Sequence, residues 1–329
     1  MESYAQLEFI NEPFYTKLRV GTDCSGIEAP IQALRELKIP FKHIFSSDID
    51  KYCIQSIKAN YEPEIIFGDK EGPFPEGDIT KRNIEDVPDI DLYVCGFPCQ
   101  PFSQAGQRKG FEDKRGNVFW SCLEVIEIKQ PKYFILENVK GLLGHDKENK
   151  KDKYGNTFKV IWKALLELEK YGYKVYWKVM NTKDYVIPQN RERVYFVGTK
   201  EEFEWPNKVK MDDIRNYVDW EDKKYQQIPK YANKKLYKVN QNAFFINIEW
   251  LYVSKFPSAH IFSPCLMARS NDLWCFKKHR FANYKEFLLL QGFSTNFIQV
   301  VSSNQIKKQI GNSMSVNVVK VILKNLIIE

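Results

Sequence analysis

The chain predicts an α/β fold in which a doubly wound, Rossmann-like sheet is followed by a second, smaller and irregular domain. Three observations carry this. Short apolar runs alternate with helical patterns over the first two hundred residues, which is the rhythm of βαβ units. Several runs are apolar at consecutive positions, as in Leu92-Tyr-Val-Cys95, the signature of strands buried on both faces. After Thr199 the rhythm stops, and Lys, Tyr, Asn and Trp become frequent.

In chain order, strands are expected at residues 18–22, 44–47, 92–95 and 133–136, then at 173–179 and 193–198. Between them, residues 29–37 place Ile31, Leu34 and Leu37 on one helical face. Residues 118–128 do the same with Phe119, Cys122, Leu123, Val125 and Ile126, and residues 158–168 repeat the pattern. Residues 52–59 read as a further helix, for which Asp48 is a candidate N-cap as much as a candidate ribose ligand. Periodicity returns at residues 284–290 and 316–327, and the last of these is apolar enough to need a core. The expected division is 1–199 for the first domain, 200–280 for the second, and 281–329 for a return segment whose final helix packs on the first sheet.

At 329 residues and 43% apolar, the chain has material for a sizeable core. The start Met-Glu-Ser-Tyr-Ala carries an acid where a secretory signal carries lysines, and no run approaches membrane-spanning length. A soluble, intracellular protein is expected, cytoplasmic in a prokaryote or virus and nuclear in a eukaryote. The seven cysteines are odd in number and lack paired C-x-x-C spacing, so reduced thiols are expected, with neither a disulfide framework nor a metal site. Charge is unevenly placed. Residues 223–280 hold eleven Lys/Arg against Glu249 and Asp272, a net +9, while the rest of the chain carries −2 of the total +7. Interleaved Tyr225, Tyr231, Tyr237, Phe244, Phe245, Trp250, Tyr252 and Trp274 suit that stretch to phosphates and bases; a solvated charged face is the plainer alternative.

Chemistry concentrates at Cys95-Gly-Phe-Pro-Cys-Gln-Pro-Phe-Ser103. Pro98 and Pro101 stiffen the loop around Cys99, directly after a strand, where parallel sheets bind ligands. A buried structural thiol fits this polar, proline-flanked setting poorly. Thr22-Asp-Cys-Ser-Gly-Ile-Glu-Ala-Pro30 is a strand-turn-helix junction able to receive a nucleotide-like ligand. Asp48, at the end of the second strand, either takes ribose hydroxyls or caps the next helix. Asp78 reads as a third acid at a strand end. Glu137 closes the apolar strand 133–136, where burial makes it either a structural hydrogen-bonding group or an acid/base group. Gln189, Arg191 and Arg193 follow, with the two arginines on one face of an extended segment.

Taken in order, Gly96-Phe-Pro-Cys-Gln-Pro-Phe-Ser103, Glu137-Asn-Val139, Gln189-x-Arg-x-Arg193, Tyr284-Lys-Glu286 with Gln291-Gly-Phe293, and Gln309-Ile-Gly-Asn-Ser313 resemble the DNA cytosine-5 methyltransferase family over residues 18–322. The resemblance implies a methyltransferase sheet with a DNA-recognition domain at 200–280. It also implies methyl transfer from S-adenosyl-L-methionine to carbon 5 of a cytosine flipped out of double-stranded DNA. By that resemblance Cys99 is the nucleophile, Glu137 contacts ring nitrogen 3 and the exocyclic amine, and Arg193, with Arg191 beside it, supports the cytosine. Cys24, Ser25, Gly26, Ile27, Asp48, Ile49, Asp78, Ile79, Pro98, Asn312 and Ser313 fall where the family binds its cofactor. Gln100, Ser103, Gln189, Cys265 and Leu266 fall on the substrate side. A monomer with a cognate restriction endonuclease as partner is expected.

The chain departs from the family pattern at the cofactor loop. Where the family has Asp-x-Phe-x-Gly-x-Gly-Gly, this chain has Thr22, Cys24, Gly26, Glu28 and Ala29, with Asp23 and Glu28 as compensating acids; Ile49 stands where an aromatic often covers adenine. Ser263-Pro-Cys265 resembles a Pro-Thr stretch with Cys265 in place of Thr. Two other readings stay open: an RNA cytosine methyltransferase, since one branch of the family acts on tRNA, and a catalytically silent DNA-binding homologue. A dehydrogenase is excluded because the loop lacks Gly-x-Gly-x-x-Gly.

Overall fold

Buried strands in the computed structural model alternate side chains between two cores. The structure describes residues 17–98, 118–149, 151–228, 230, 242–248, 261–268 and 273–328. Leu92, Val94, Ile135, Tyr195 and Val197 enter one apolar cluster, whereas Tyr93, Cys95, Phe134, Leu136, Val194 and Phe196 enter the other. That period of two, apolar on both faces, is what produced the unbroken hydrophobic runs in the sequence.

The order in the chain is β1 (Leu18–Asp23), α1 (Ala29–Leu37), β2 (Phe41–Ser47), α2 (Lys51–Asn60), β3 (Ile65–Phe67), β4 (Leu92–Gly96), α3 (Val118–Lys129), β5 (Tyr133–Val139), α4 (Asn156–Leu166), β6 (Lys174–Asn181) and β7 (Glu192–Thr199). These strands form one sheet in the order β3-β2-β1-β4-β5-β7-β6. β7 alone runs antiparallel to its neighbours β5 and β6. Chain progression reverses at β1, which lies between β2 and β4, so a crevice opens at the carboxyl ends of β1 and β4. Two glycines let aromatic rings lie flat on the sheet: a Cβ on Gly21 would stand 2.2 Å from the Phe45 ring, and one on Gly198 would stand 2.0 Å from Phe134.

Beyond β7, β8 (Phe245–Asn247), β9 (Leu273–Cys275) and β10 (Arg280–Phe281) form a small antiparallel sheet in the order β10-β9-β8. At two or three residues each, these strands, like β3, fall below the span over which alternation can be read. Then come α5 (Tyr284–Gln291), α6 (Ser303–Asn312) and α7 (Val316–Ile327). α6 offers only Ile306 and Ile310 as buried apolar side chains, and for that reason its sequence gives little helical signal. α7 buries Val316, Val319, Ile322 and Leu323 in the same cluster as Ile31 and Leu34 of α1, and Lys320 pairs with Glu36 at 2.8 Å. Phe203, Ile214, Tyr217 and Val218 belong to this cluster as well. The compositional change at residue 200 is therefore not a break in the core, and the separate small cluster is Ala243, Ile246, Ile248 and Trp274.

Two buried ion pairs, Arg280–Glu286 and Arg82–Asp23, anchor the loops around them. Arg280 donates to both oxygens of Glu286 at 2.7 and 2.9 Å and to the Asp219 carbonyl at 3.0 Å, while Glu286 completes a capping box with Asn283 at the start of α5. This holds the small sheet against α5. Beneath β1, Arg82 makes a two-pronged bond to Asp23 at 2.7 and 2.8 Å, the Tyr93 hydroxyl donates to the same carboxylate at 2.7 Å, and the guanidinium lies 4.5 Å over the Phe67 ring. Asp23 is fully buried, so removing its partner strands a charge. Arg82→Ala is expected to lower unfolding free energy by roughly 3–5 kcal/mol in urea titrations, and an unchanged midpoint would refute that role.

Candidate active site

The site grows from the crevice at β1. Past Asp23 the chain enters a turn in which Cys24, Gly26 and Glu28 all have left-handed backbone, with φ of 49°, 57° and 60°. Only the middle one is a glycine. The turn is held by the Ser25 N–H on the Ser47 carbonyl at 2.9 Å and by the Gly26 N–H on Asp48 Oδ2 at 2.9 Å. Asp23 and Glu28, read from the sequence as compensating acids for a ligand, both point into the protein: Asp23 onto Arg82, and Glu28 onto Thr22 and Ser46. Neither lines the cavity above. Behind the turn the Cys122 thiol lies 3.3 Å from the Cys95 sulfur, and burial pushes the Cys95 thiol well above its ordinary value, leaving it unreactive.

Asp48 ends β2 with its carboxylate fixed from both sides, because Oδ1 accepts the Asp50 N–H at 2.8 Å and Oδ2 that of Gly26. The N-cap of α2 is Asp50, which accepts the Tyr52 N–H at 2.9 Å, so the capping alternative for Asp48 falls. Burial raises the Asp48 carboxyl above its usual range, with the two N–H groups opposing. Each oxygen keeps a lone pair for a hydroxyl. Ile49 beside it is 78% exposed, an open apolar surface among the described residues. Asp78 does not end a strand: β3 stops at Phe67, and Asp78 lies in the following loop, held by the Thr80 N–H at 3.1 Å and the Thr80 hydroxyl at 2.7 Å. Burial works against its charge, yet Thr80 and Lys81 outweigh that and hold the carboxyl below its usual range.

β4 and β5 are parallel neighbours with Gly96 opposite Glu137, so the glutamate stands beside the strand end that leads into Pro98. Asn138, fully buried, donates to the Phe97 carbonyl at 2.9 Å and fixes the peptide entering that proline. Glu137 Oε1 lies 3.2 Å from Arg193 Nε. Burial raises the Glu137 carboxyl, and Arg193 and then Arg191 only partly offset it. A protonated, hydrogen-bond-donating form is thereby brought closer to neutral pH.

Arg191 is 2% exposed and its guanidinium is occupied by protein: the Leu266 carbonyl at 2.7 Å, the Ser313 carbonyl at 2.7 Å and the Gly311 carbonyl at 3.1 Å. It fastens three segments together. Gln189 is also fully buried, donating to the Leu290 carbonyl and Gln291 Oε1 and accepting the Leu266 N–H at 3.0 Å. Gln291 in turn donates to the Ser313 carbonyl at 2.6 Å. Cys265 touches both arginines, with its sulfur 3.5 Å from Arg191 Nη1 and 4.0 Å from Arg193 Nη2.

A cavity of about 650 Å³ unites these groups. Cys24, Ser25, Gly26, Asp48, Ile49, Asp78, Ile79, Pro98, Glu137, Arg191, Arg193, Asn312 and Ser313 line it. Ile27, Gln189, Cys265 and Leu266 do not; Ile27 is core, Gln189 and Leu266 are buried, and Cys265 is half-buried against the two arginines. Cys99, Gln100 and Ser103 lie outside the described residues. Cys53, Asn138, Gln309 and Met314 also line the cavity. Of these, Asn138 and Gln309 sit inside motifs already conspicuous in the sequence, as does Gln291 behind the wall, whereas Cys53 and Met314 carry no sequence signal. Among the described residues no group of three or more His, Cys, Asp or Glu side chains is arranged to hold a metal ion, and no helix is long and apolar enough to cross a membrane.

Residues 23–328 match the sequence profile of the family described as C-5 cytosine-specific DNA methylase. The chain is 37% identical over 293 residues to the Type II methyltransferase M.HaeII of Haemophilus aegyptius, covering 87% of this chain and 86% of that one. To M.SsoII of Shigella sonnei it is 35% identical over 306 residues, covering 86% and 73%. Its fold is similar to that of a Dnmt2 methyltransferase of S. pombe, with a TM-score of 0.67 at 21% identity over 94% of this chain and 98% of that one. A profile match across nearly the whole chain, relatives above 30% identity and this sheet order agree: the chain belongs to the C-5 cytosine-specific DNA methylase family and is a DNA cytosine-5 methyltransferase.

Proposed function

We propose that the chain methylates carbon 5 of a cytosine flipped out of a specific double-stranded DNA sequence, using S-adenosyl-L-methionine and a covalent adduct of Cys99 at carbon 6. The observation that carries this is the Glu137–Arg193 pair beside the strand end leading into Pro98-Cys99, on the wall of the same cavity as the Gly26–Asp48 turn. The residues suit the cofactor. Asp48 has free lone pairs for ribose hydroxyls, exposed Ile49 offers an apolar face for adenine, and Ser25, Gly26, Asn312 and Ser313 line the space for the amino-acid end. When bound, the sulfonium supplies a methyl group on a good leaving group.

Carbon 5 of cytosine is too weak a nucleophile to take that methyl, and addition of a thiolate to carbon 6 turns the ring into an enamine that can. Cys99 supplies the thiolate. Glu137, in its protonated form, donates to ring nitrogen 3 as negative charge builds there. Arg193 orients Glu137 and adds positive charge to the pocket, while Arg191, itself on the wall, and Gln189 behind it act as positioning residues for that wall. A base then removes the carbon 5 proton and the thiolate leaves. Both ring carbons are stacked inside a duplex, so the base must be extruded, at a cost of roughly a few kcal/mol.

DNA binding is assigned chiefly to residues 223–280 within the recognition region 200–280. In the part described, Tyr225 is 71% exposed and lies 5.9 Å from the His279 ring, and Lys278 sits 6.0 Å over exposed Trp220, a mixture suited to phosphates and bases. Lys234, Lys235 and Lys238 of the same stretch lie outside the described residues. The Type II names of the relatives support a restriction-modification role; a monomer acting beside a cognate endonuclease is the further part of this proposal.

Tritiated methyl transfer to duplex DNA, with tRNA as the alternative acceptor, tests the reading: label is expected in DNA alone, and label in tRNA alone overturns it. Cys99→Ser should abolish turnover while duplex binding survives in gel-shift titrations; methylation retained by that variant removes Cys99 as nucleophile. Turnover should fall as pH rises through the raised Glu137 pKa, because deprotonation removes the donor. Glu137→Gln should lose that limb of the profile and about 10²–10⁴-fold in kcat. Reversing Lys234, Lys235 and Lys238 to Glu should weaken DNA binding and lower the salt slope by up to about 3; an unchanged slope would place the phosphate contacts elsewhere.

A further inference from the structure

We propose that Glu28 is a positioning residue for the cofactor loop, doing with a buried carboxylate what glycine does at that turn in the family pattern. The inference rests on reading the cavity as the S-adenosyl-L-methionine site. Glu28 has φ 60° and ψ 52°, is fully buried, and immediately precedes α1. A left-handed glutamate is strained, and such strain persists only where the surroundings over-determine it.

The surroundings are a chain of hydroxyls. Glu28 Oε1 accepts from Thr22 Oγ1 at 2.6 Å and from Ser46 Oγ at 2.6 Å, bringing β1 and β2 onto one oxygen. Each hydroxyl has one proton, so the remaining directions follow. With its proton spent on Glu28, Ser46 accepts from His43 Nε2 at 3.0 Å, and the same nitrogen lies 3.5 Å from Glu28 Oε1. Thr22 Oγ1, with its proton likewise spent, lies 2.7 Å from Ser25 Oγ; the Ser25 hydroxyl directs its one proton to Thr22, shared between that oxygen and the Thr22 carbonyl at 3.0 Å, and accepts the Ser47 N–H at 2.9 Å. The chain therefore runs from His43 through Ser46, Glu28 and Thr22 to Ser25, which lines the cavity.

Glu28 itself lies outside the cavity lining, so its effect passes through the loop. An acceptor at this point fixes the hydroxyl of Ser25 and with it the peptide planes of the turn whose Gly26 N–H holds Asp48. Glycine would relieve the backbone strain but supply no acceptor. Glutamine keeps an oxygen for both hydroxyls.

Isothermal titration with S-adenosyl-L-methionine, using the full chain, separates these cases. Glu28→Gln should bind within about threefold of wild type, whereas Glu28→Ala and Glu28→Gly should each raise Kd about tenfold or more. KM for the cofactor should rise in parallel, with kcat and KM for DNA unchanged. Wild-type affinity in Glu28→Gly would show that the turn needs only a permissive backbone and would overturn the proposal. If Glu28→Ala and Glu28→Gly fail to fold by circular dichroism, Thr22→Val, which removes the link between Glu28 and Ser25, decides: a raised Kd supports the proposal and an unchanged Kd overturns it. No binding by the wild-type chain would overturn the cofactor reading itself, whereas tight wild-type binding that the variants share would remove only the role of Glu28.

Discussion

Parallel pairing of β1 between β2 and β4 is the constraint on which the site depends. The registers Asp23–Ser47 and Asp23–Cys95 bring three strands to an end at one edge, and Gly96–Glu137 adds the fourth. Loops leaving those ends have nowhere to go but the same crevice. Residues far apart in sequence, from Cys24 to Glu137, therefore line one cavity without any of them needing a neighbour in the chain. Burial of both sheet faces is what makes this edge rigid, because a one-residue slip would exchange the two apolar sets.

That arrangement leaves polar groups in a dry interior, and the chain satisfies most of them in small closed networks. Asp23 accepts from Arg82 and Tyr93, three carbonyls accept from the two Nη atoms of Arg191 while its Nε finds no partner among the described residues, and the Gln189 amide is shared among α5, its end and Leu266. Each network joins segments that the backbone alone does not join. The wall of the cavity formed by Asn312 and Ser313 is held through Arg191 and Gln291 to the start of β7 and the end of α5. Reactivity and burial are separated by the same logic: Cys95 is sealed among thiols, whereas Glu137 is buried but keeps a route to the cavity. The raised Glu137 carboxyl is a direct consequence of that burial, incompletely offset by its arginines.

Much of this was legible from residue patterns. The helices at residues 29–37 and 316–327 have the bounds that periodicity assigned, and the long strands differ by a few residues at their ends. The misreadings share a cause. Asp78 follows an apolar pair, Ile65-Ile66, by too many residues to end its strand, and Asp50 rather than Asp48 caps α2, because backbone geometry decides which of two nearby acids faces an orphan N–H. Strands of two or three residues and a helix with two buried apolar side chains carry too little pattern to register.

Chemistry of residue type and order was determined by the sequence alone: the proline-flanked Cys99, the acid closing an apolar strand, the alternating arginines, and the shortage of glycine at residues 22–30. Only the tertiary structure decided which face each polar group presents. It turned Asp23 and Glu28 inward, made Gln189 a strut behind the wall and Arg191 a strut within it, and left Asp48, Glu137 and Arg193 lining the cavity beside Arg191. The physical reason is that a hydrogen bond or ion pair is set by the register of neighbouring strands and the approach of remote segments, quantities that spacing along one chain does not encode.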